Sequence, residues 1–361
     1  MYPFKTGSFA VHNGWYVAAF TDEIGEQLLA RTILNKPVVM YRKDDGTAVA
    51  IGGRCPHRHF PLGQGERVGD EVVCGYHGIA FGPDGRCTRI PTQRGVPAVY
   101  RVPSYPLVEH GIWAFIWMGD ADKADPALLP DLDDIGFNVN GNLAQPFFVE
   151  HVDGRYQLLN DNLLDLSHLA VLHRSSIGTP ENASTPETIE RSERQISCHR
   201  VMSNVDVPPV YPALGRMMKK IDRISGMTFH LPGFHAGIEQ TRYPADDPRF
   251  AGQVIEDVRI FHAVTPETAN SCNYFFAANS IDQSHLETMK NFLEPVIAED
   301  KMATEEIEKM LRLVGENPDE LLLKSDHNAV TARRMLQRLM DEERGGDPEA
   351  ALPAKPSPAD S

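Results

Sequence analysis

Two short segments place the tightest constraint on this 361-residue chain. The stretch "GGRCPHRHFPLG", starting at Gly52, sets Cys55 and His57 in a turn flanked by glycine and proline. The stretch "EVVCGYHGIAF", starting at Glu71, sets Cys74 and His77 in a second turn. One residue separates the first pair, two separate the second, and sixteen lie between His57 and Cys74. Each turn follows a strand-like apolar run. Two such loops can converge on one small object and offer it two sulfurs and two ring nitrogens.

The remaining cysteines, Cys87, Cys198 and Cys272, are scattered and make an odd total of five, which argues against a disulfide framework. Zinc accepts two thiolates and two imidazoles, but structural zinc loops usually bring Cys-x2-4-Cys knuckles. An iron–sulfur centre with two thiolates on one iron and two imidazoles on the other needs one ligand of each kind from each loop. The pairing here is that division. His59 is a second histidine in the first loop and competes with His57 on composition alone.

A formal net charge of −15 argues against nucleic acid, where a basic footprint is expected, and leaves room for a local basic patch that meets an acidic protein partner. No apolar run is long enough to span a bilayer, and the N-terminal stretch lacks a secretory pattern, so no membrane association and a cytoplasmic setting are expected. The first third predicts strands at "WYVAAF", "KPVVMYR" and "TAVAIGG", and a hairpin at "LVEHGIWAFIWMG" with His110-Gly111 at its tip. The acidic, proline-bearing "DADKADPALLPDLDD" marks a boundary, giving domains at 1–120 and 121–343. The second mixes strands with a long helix containing Pro295 near its start and an amphipathic helix at "DHNAVTARRMLQRLMDEE". The tail 344–361 has the composition of a disordered end. An α+β fold follows.

A second constellation lies in the helical stretch "NDNLLDLSHLAVLHR", with Asp161, Asn162, Asp165, His168 and His173. His168 and His173 are five residues apart, which turns them about 140° from each other on a straight helix. If both face one metal, the helix must break or bulge between them. Taken alone, the two histidines read as ordinary polar residues at a helix end.

Beside "CPHR…CGYHG", that spacing resembles the Rieske non-heme iron oxygenases, and most of all the dicamba and vanillate O-demethylase type. The likeness runs from "GWYVAAF" to the last helix and includes "RTIL", "YHG", "TPET--SC-YFF" and "EDK". It implies an N-terminal Rieske β-sandwich domain and a catalytic domain whose curved antiparallel sheet grips helices. It implies that Cys55, His57, Cys74 and His77 hold a 2Fe-2S cluster, with His59 left out. It also implies that His168, His173 and a distant carboxylate hold a mononuclear Fe(II) as a facial triad with open positions. Asp300 matches the position of that carboxylate; Glu299, Glu305 and Glu306 are its rivals. Asp165 matches an acid that bridges the iron site to a Rieske histidine of the next subunit, with His168 and His77 as its partners, and Asn162 a residue beside the iron. The bridge implies a head-to-tail homotrimer.

The resemblance implies the oxygenase component of a multicomponent monooxygenase that removes an O- or N-alkyl group from an aromatic substrate with O2. Ring dihydroxylation, or electron transfer without oxygen chemistry, are the alternatives. The chain carries no strand-turn-helix GxGxxG loop, so a ferredoxin and an NAD(P)H-dependent reductase are expected partners. Pocket walls are expected from Met227, Phe229, His230, Ile260, His262, Asn291 and Phe292. Only His262 suits a substrate carboxylate, with no Arg or Lys evidently beside it, which favours a neutral aromatic.

Overall fold

The computed structural model describes residues 2–139, 141–315 and 318–345. The tail expected from residue 344 lies, beyond 345, outside the described residues. Near the N-terminus two four-stranded sheets face each other. One contains Leu29–Ile33, Lys36–Arg42, Ala48–Gly52 and Ser104–Tyr105, the other Glu66–Val68, Glu71–Val73, Ala80–Phe81 and Cys87–Arg89. Val39, Tyr41, Ile51, Val72 and Phe81 fill the space between them. A third sheet joins Trp15–Phe20 to the hairpin Leu107–His110 and Trp113–Trp117, with Gly111 at φ +62 in the turn.

The rest of the chain is built on one antiparallel sheet of seven strands. In chain order they are β1 (Gln145–Val152), β2 (Thr188–Arg191), β3 (Gln195–Asp206), β4 (Lys220–His230), β5 (Phe234–Arg242), β6 (Val254–Thr268) and β7 (Ser271–Ser280). The spatial order is β1-β7-β6-β5-β4-β3-β2. Three helices matter for the site: α1 (Tyr156–Leu164), α2 (Leu286–Val314) and α3 (His327–Glu343). Pro295 sits inside α2 on its exposed side.

Strand alternation assigns the two faces of this sheet. Phe234, Ala236, Phe261, Ala263, Phe275 and Ala277 point toward Trp113, Phe115 and Trp117 of the N-terminal hairpin sheet. Phe229, Val264, Tyr274, Phe276 and Ala278 point the other way, onto Leu159, Leu163, Ile297 and Leu336 of the helices. Both faces are buried, so "NYFFAAN" reads as a continuous apolar run rather than an alternating one. The result is three layers: N-terminal sheet, large sheet, helices. This is the architecture expected from the sequence.

On α2, Asp300, Thr304 and Glu308 recur every four residues and are at most 4% exposed. They form one stripe with Leu293, Ile297 and Leu311. Thr304 packs so close to Gly154 that a Cβ there would lie 2.7 Å from the threonine methyl. One turn on, Glu308 accepts from Arg155 Nε at 2.6 Å and Nη2 at 2.9 Å. These contacts fix the start of α1 against α2 and so set where Asp300 meets the residues that follow α1. Asp161 and Arg333, 2.6 Å apart, tie α1 to α3 in turn.

Candidate functional site

The two Cys/His loops are built alike. Cys55 N–H donates to Phe60 O at 2.9 Å and its carbonyl accepts from His59 N–H at 3.0 Å. Cys74 N–H donates to Ile79 O at 2.8 Å and its carbonyl accepts from Gly78 N–H at 2.9 Å. The fourth residue after each cysteine has positive φ, +60 at His59 and +68 at Gly78. Both thiols are buried, and burial raises the Cys55 thiol above its ordinary value, with Cys74 adding to the shift. The His57 and His77 rings are exposed and 4.6 Å apart. A cluster with sulfur ligands inside and imidazole ligands at the surface fits this pair of loops. His59 turns away and places Nδ1 2.8 Å from Arg54 Nη1; its left-handed backbone serves the turn.

The second site forms where α1 ends. The helix stops at Leu164, Asp165 leaves helical geometry, and a short 3-10 turn covers Leu166–Ala170. The break brings the His168 and His173 rings to 5.1 Å. Asp300 Oδ1 lies 3.5 Å from His168 Nε2 and 3.0 Å from His173 Nε2. Among the described residues these three alone form a cluster of potential metal ligands, with all ligand atoms within 4.8 Å of one another. The other ring nitrogens are engaged: His168 Nδ1 with Asp165 O at 2.5 Å, His173 Nδ1 with Glu299 Oε2 at 2.6 Å. Two ε nitrogens and one carboxylate oxygen therefore converge, and each ring is oriented from behind. The set suits Fe(II) in a two-histidine, one-carboxylate arrangement.

Charge supports the same reading. Burial opposes ionisation of Asp300, yet hydrogen bonds from His168 and His173 outweigh it and hold the carboxyl well below its usual range. Burial also opposes a charged His173, but Asp300 and Glu299 prevail and raise its pKa. A metal must displace that proton, so affinity should rise with pH.

The rivals of Asp300 are otherwise occupied. Glu299 sits behind His173, Glu305 accepts from Asp153 N–H at 3.1 Å, and Glu306 pairs with Lys309 at 2.6 Å. The role of Glu299 was missed in the sequence, although the apolar stripe through Leu293 and Ile297 turns Asp300 inward more than its neighbour. Glu299→Gln should weaken iron binding about 10- to 100-fold, measured by chelator competition, because the oriented imidazole loses its anionic partner.

Two expectations are corrected. Within the chain, His168 is met by the main-chain carbonyl of Asp165, while the Asp165 carboxylate accepts from Ser167 N–H at 2.9 Å. The reason is the break itself, which turns the carboxylate back to cap the 3-10 turn. The pocket also differs. A cavity of about 560 Å³ is lined by Ile260 and Phe292 as expected, but Asn291 is exposed on the outer side of α2. One residue rotates a helical side chain by about 100°. Phe229 is fully buried and stacks on His235 at 4.3 Å, so it belongs to the core. His230, one residue on, faces a separate cavity on the opposite side of the sheet.

The 560 Å³ cavity is walled in part by the segments that carry the triad. Ile177 follows His173 by four residues, and Leu293 precedes Asp300 by two helical turns; both line it. His262 shares a face with Ile260, is 4% exposed, and shares a hydrogen bond with Tyr274 Oη at 2.5 Å. Its Nε2 is buried without a partner among the described residues, as is Asn162 Oδ1. Burial pushes the His262 pKa down to about 4, so it is a neutral imidazole. The walls also hold Arg223 and Glu239, which sequence reasoning missed: they lie on different strands, and nothing local pairs them.

Residues 14–106 match the Rieske [2Fe-2S] domain, and residues 152–342 match the vanillate O-demethylase oxygenase C-terminal domain. The chain is 35% identical to the toluene-4-sulfonate monooxygenase system iron-sulfur subunit of Comamonas testosteroni, over 93% of this chain and 99% of that one. It is 32% identical to the dicamba O-demethylase oxygenase component of Stenotrophomonas maltophilia, over 91% and 97%. The crystal structure of dicamba monooxygenase bound to dicamba superposes with a TM-score of 0.81 at 29% identity, covering 94% of this chain and all of that one. The chain therefore belongs to the Rieske oxygenases with a vanillate O-demethylase-type C-terminal domain. It is a Rieske-type monooxygenase, the oxygenase component of a multicomponent system, with a 2Fe-2S cluster and a mononuclear non-heme iron as its resident groups.

Proposed function

We propose that this protein oxidatively dealkylates an aromatic ether or N-alkyl amide, with His168, His173 and Asp300 as iron ligands and Cys55, His57, Cys74 and His77 as cluster ligands. The observation that carries this reading is the convergence of the three ligand atoms; the helix that carries Asp300 also walls an apolar cavity large enough for a drug-sized aromatic. The relatives named for dicamba O-demethylation and for chloroacetanilide N-alkylformyl removal support it. When bound, the mononuclear iron activates dioxygen with electrons passed from the cluster. Ile260, Phe292 and Leu293 exclude water and turn the alkyl carbon toward the triad. Hydroxylation of that carbon gives a hemiacetal or hemiaminal, which separates into an aldehyde and the dealkylated product.

Asp165, half-buried at the helix break, is proposed to accept from a Rieske histidine of a second copy in a head-to-tail homotrimer, and Asn162 to steady a polar group beside the iron. A ferredoxin and an NAD(P)H-dependent reductase supply the electrons. The division near residue 120 separates the electron-carrying unit from the catalytic one. The setting we assign is cytoplasmic; among the described residues no helix is long and apolar enough to cross a membrane. The test is a coupled turnover assay against aromatic ethers and N-alkyl anilides. Aldehyde release in step with NAD(P)H and labelled O2 consumption is expected; a cis-diol product with no aldehyde would refute dealkylation.

A further inference from the structure

The helix-facing side of the large sheet carries a polar row in the wall of the cavity. Strand register places Ser225 opposite Glu239 and Glu239 opposite Val258. His262 lies four residues farther along β6, about 13 Å at the rise of an antiparallel strand. The cavity wall therefore holds Arg223 and Glu239 together with apolar Ile260, Phe292, Val258, Met289 and Leu214.

Arg223 is the one cation among the described residues lining this cavity, beside the carboxylates of Glu239, Glu256 and Asp282. It is 2% exposed. Its Nε donates to Glu239 Oε2 at 2.8 Å and its Nη1 to Ile177 O at 2.9 Å. Ser225 donates its hydroxyl to the other Glu239 oxygen. The guanidinium that would suit a substrate carboxylate or sulfonate thus already holds a resident carboxylate, fixed from its far side. An entering anion would have to leave water without gaining a counter-ion, beside three acidic side chains.

We propose that Glu239 determines substrate class by keeping Arg223 occupied. The cavity takes an alkylated aromatic whose distal substituent is neutral or cationic and refuses carboxylates and sulfonates. This rests on the dealkylase reading for the reaction, but the selection itself is a property of binding. Glu239→Gln removes the resident charge while keeping the shape, and leaves Arg223 able to receive a carboxylate from the substrate.

The test measures equilibrium binding of matched methoxyaryl carboxylates and their primary amides to iron-loaded holoenzyme, with aldehyde release followed separately. The wild-type protein should bind the amides on the order of 100-fold more tightly. Glu239→Gln should collapse or reverse that ratio by tightening carboxylate binding, with iron content unchanged. Ser225→Ala, a smaller change that frees one Glu239 oxygen, should narrow it slightly. Equal binding of both classes by the wild type, binding of neither, or an equal loss for both in Glu239→Gln would overturn the assignment. Selective binding without aldehyde from any compound would uphold it and refute dealkylation instead.

Discussion

Asp300→Ala is expected to lower the iron content by one per chain and to cut turnover by on the order of 10³-fold, since several kcal/mol of transition-state stabilisation leave with the metal. The Rieske absorption and EPR signals should be unchanged, because Cys55, His57, Cys74 and His77 belong to a different part of the fold. Asp300 is the group that both ε nitrogens face, at 3.5 and 3.0 Å, so in the proposed site its loss leaves two imidazoles without their carboxylate. Asp165→Asn should behave differently. Its main-chain carbonyl still accepts from His168, so iron should stay bound while turnover falls. Retained activity in Asp300→Ala would mean that the ligand is misassigned; loss of iron in Asp165→Asn would mean that Asp165 supports the metal rather than the electron path.

Glu308→Ala is expected to destabilise the protein by about 3–5 kcal/mol, the range found when a buried ion pair loses one partner. The Glu308 side chain is fully buried and that of Arg155 is 9% exposed. Removing the carboxylate leaves a guanidinium with no anion at the junction of α1 and α2. Asn270 and Arg312 lose the same acceptor. The pair also makes stability depend on pH. Burial works to raise the Glu308 pKa, but Arg155 and Asn270 outweigh it and the folded value is lowered. The stabilisation is therefore full above the unfolded-state carboxylate range and fades as pH falls through the folded-state value. Denaturant titration at neutral and acidic pH measures both effects. A mutant within 1 kcal/mol of wild type at neutral pH would show that water or a neighbouring acid compensates. Because Gly154 and Thr304 meet one turn away, the loss should also loosen iron binding without touching a ligand.

The two Cys/His loops were legible in the sequence because they are local: each turn fixes its own Cys and His within a few residues, and only the meeting of two loops is tertiary. The strands "WYVAAF" and "KPVVMYR" were legible for the same reason, and match the observed Trp15–Phe20 and Lys36–Arg42. His168 and His173 could be named, with a break required between them, but not brought together. The choice of Asp300 over Glu299 lay in the structure, which shows that the first faces both imidazoles and the second props one of them up. Asn291, Phe229 and His230 were misplaced because a one-residue step reverses a strand's face and swings a helix by about 100°. Arg223 and Glu239 sit 16 residues apart on neighbouring strands, and only their register reveals that this carboxylate occupies the guanidinium in the cavity wall. Short-range turn geometry is written in adjacent residues; which charges neutralise each other across a sheet depends on register and packing, which no single segment encodes.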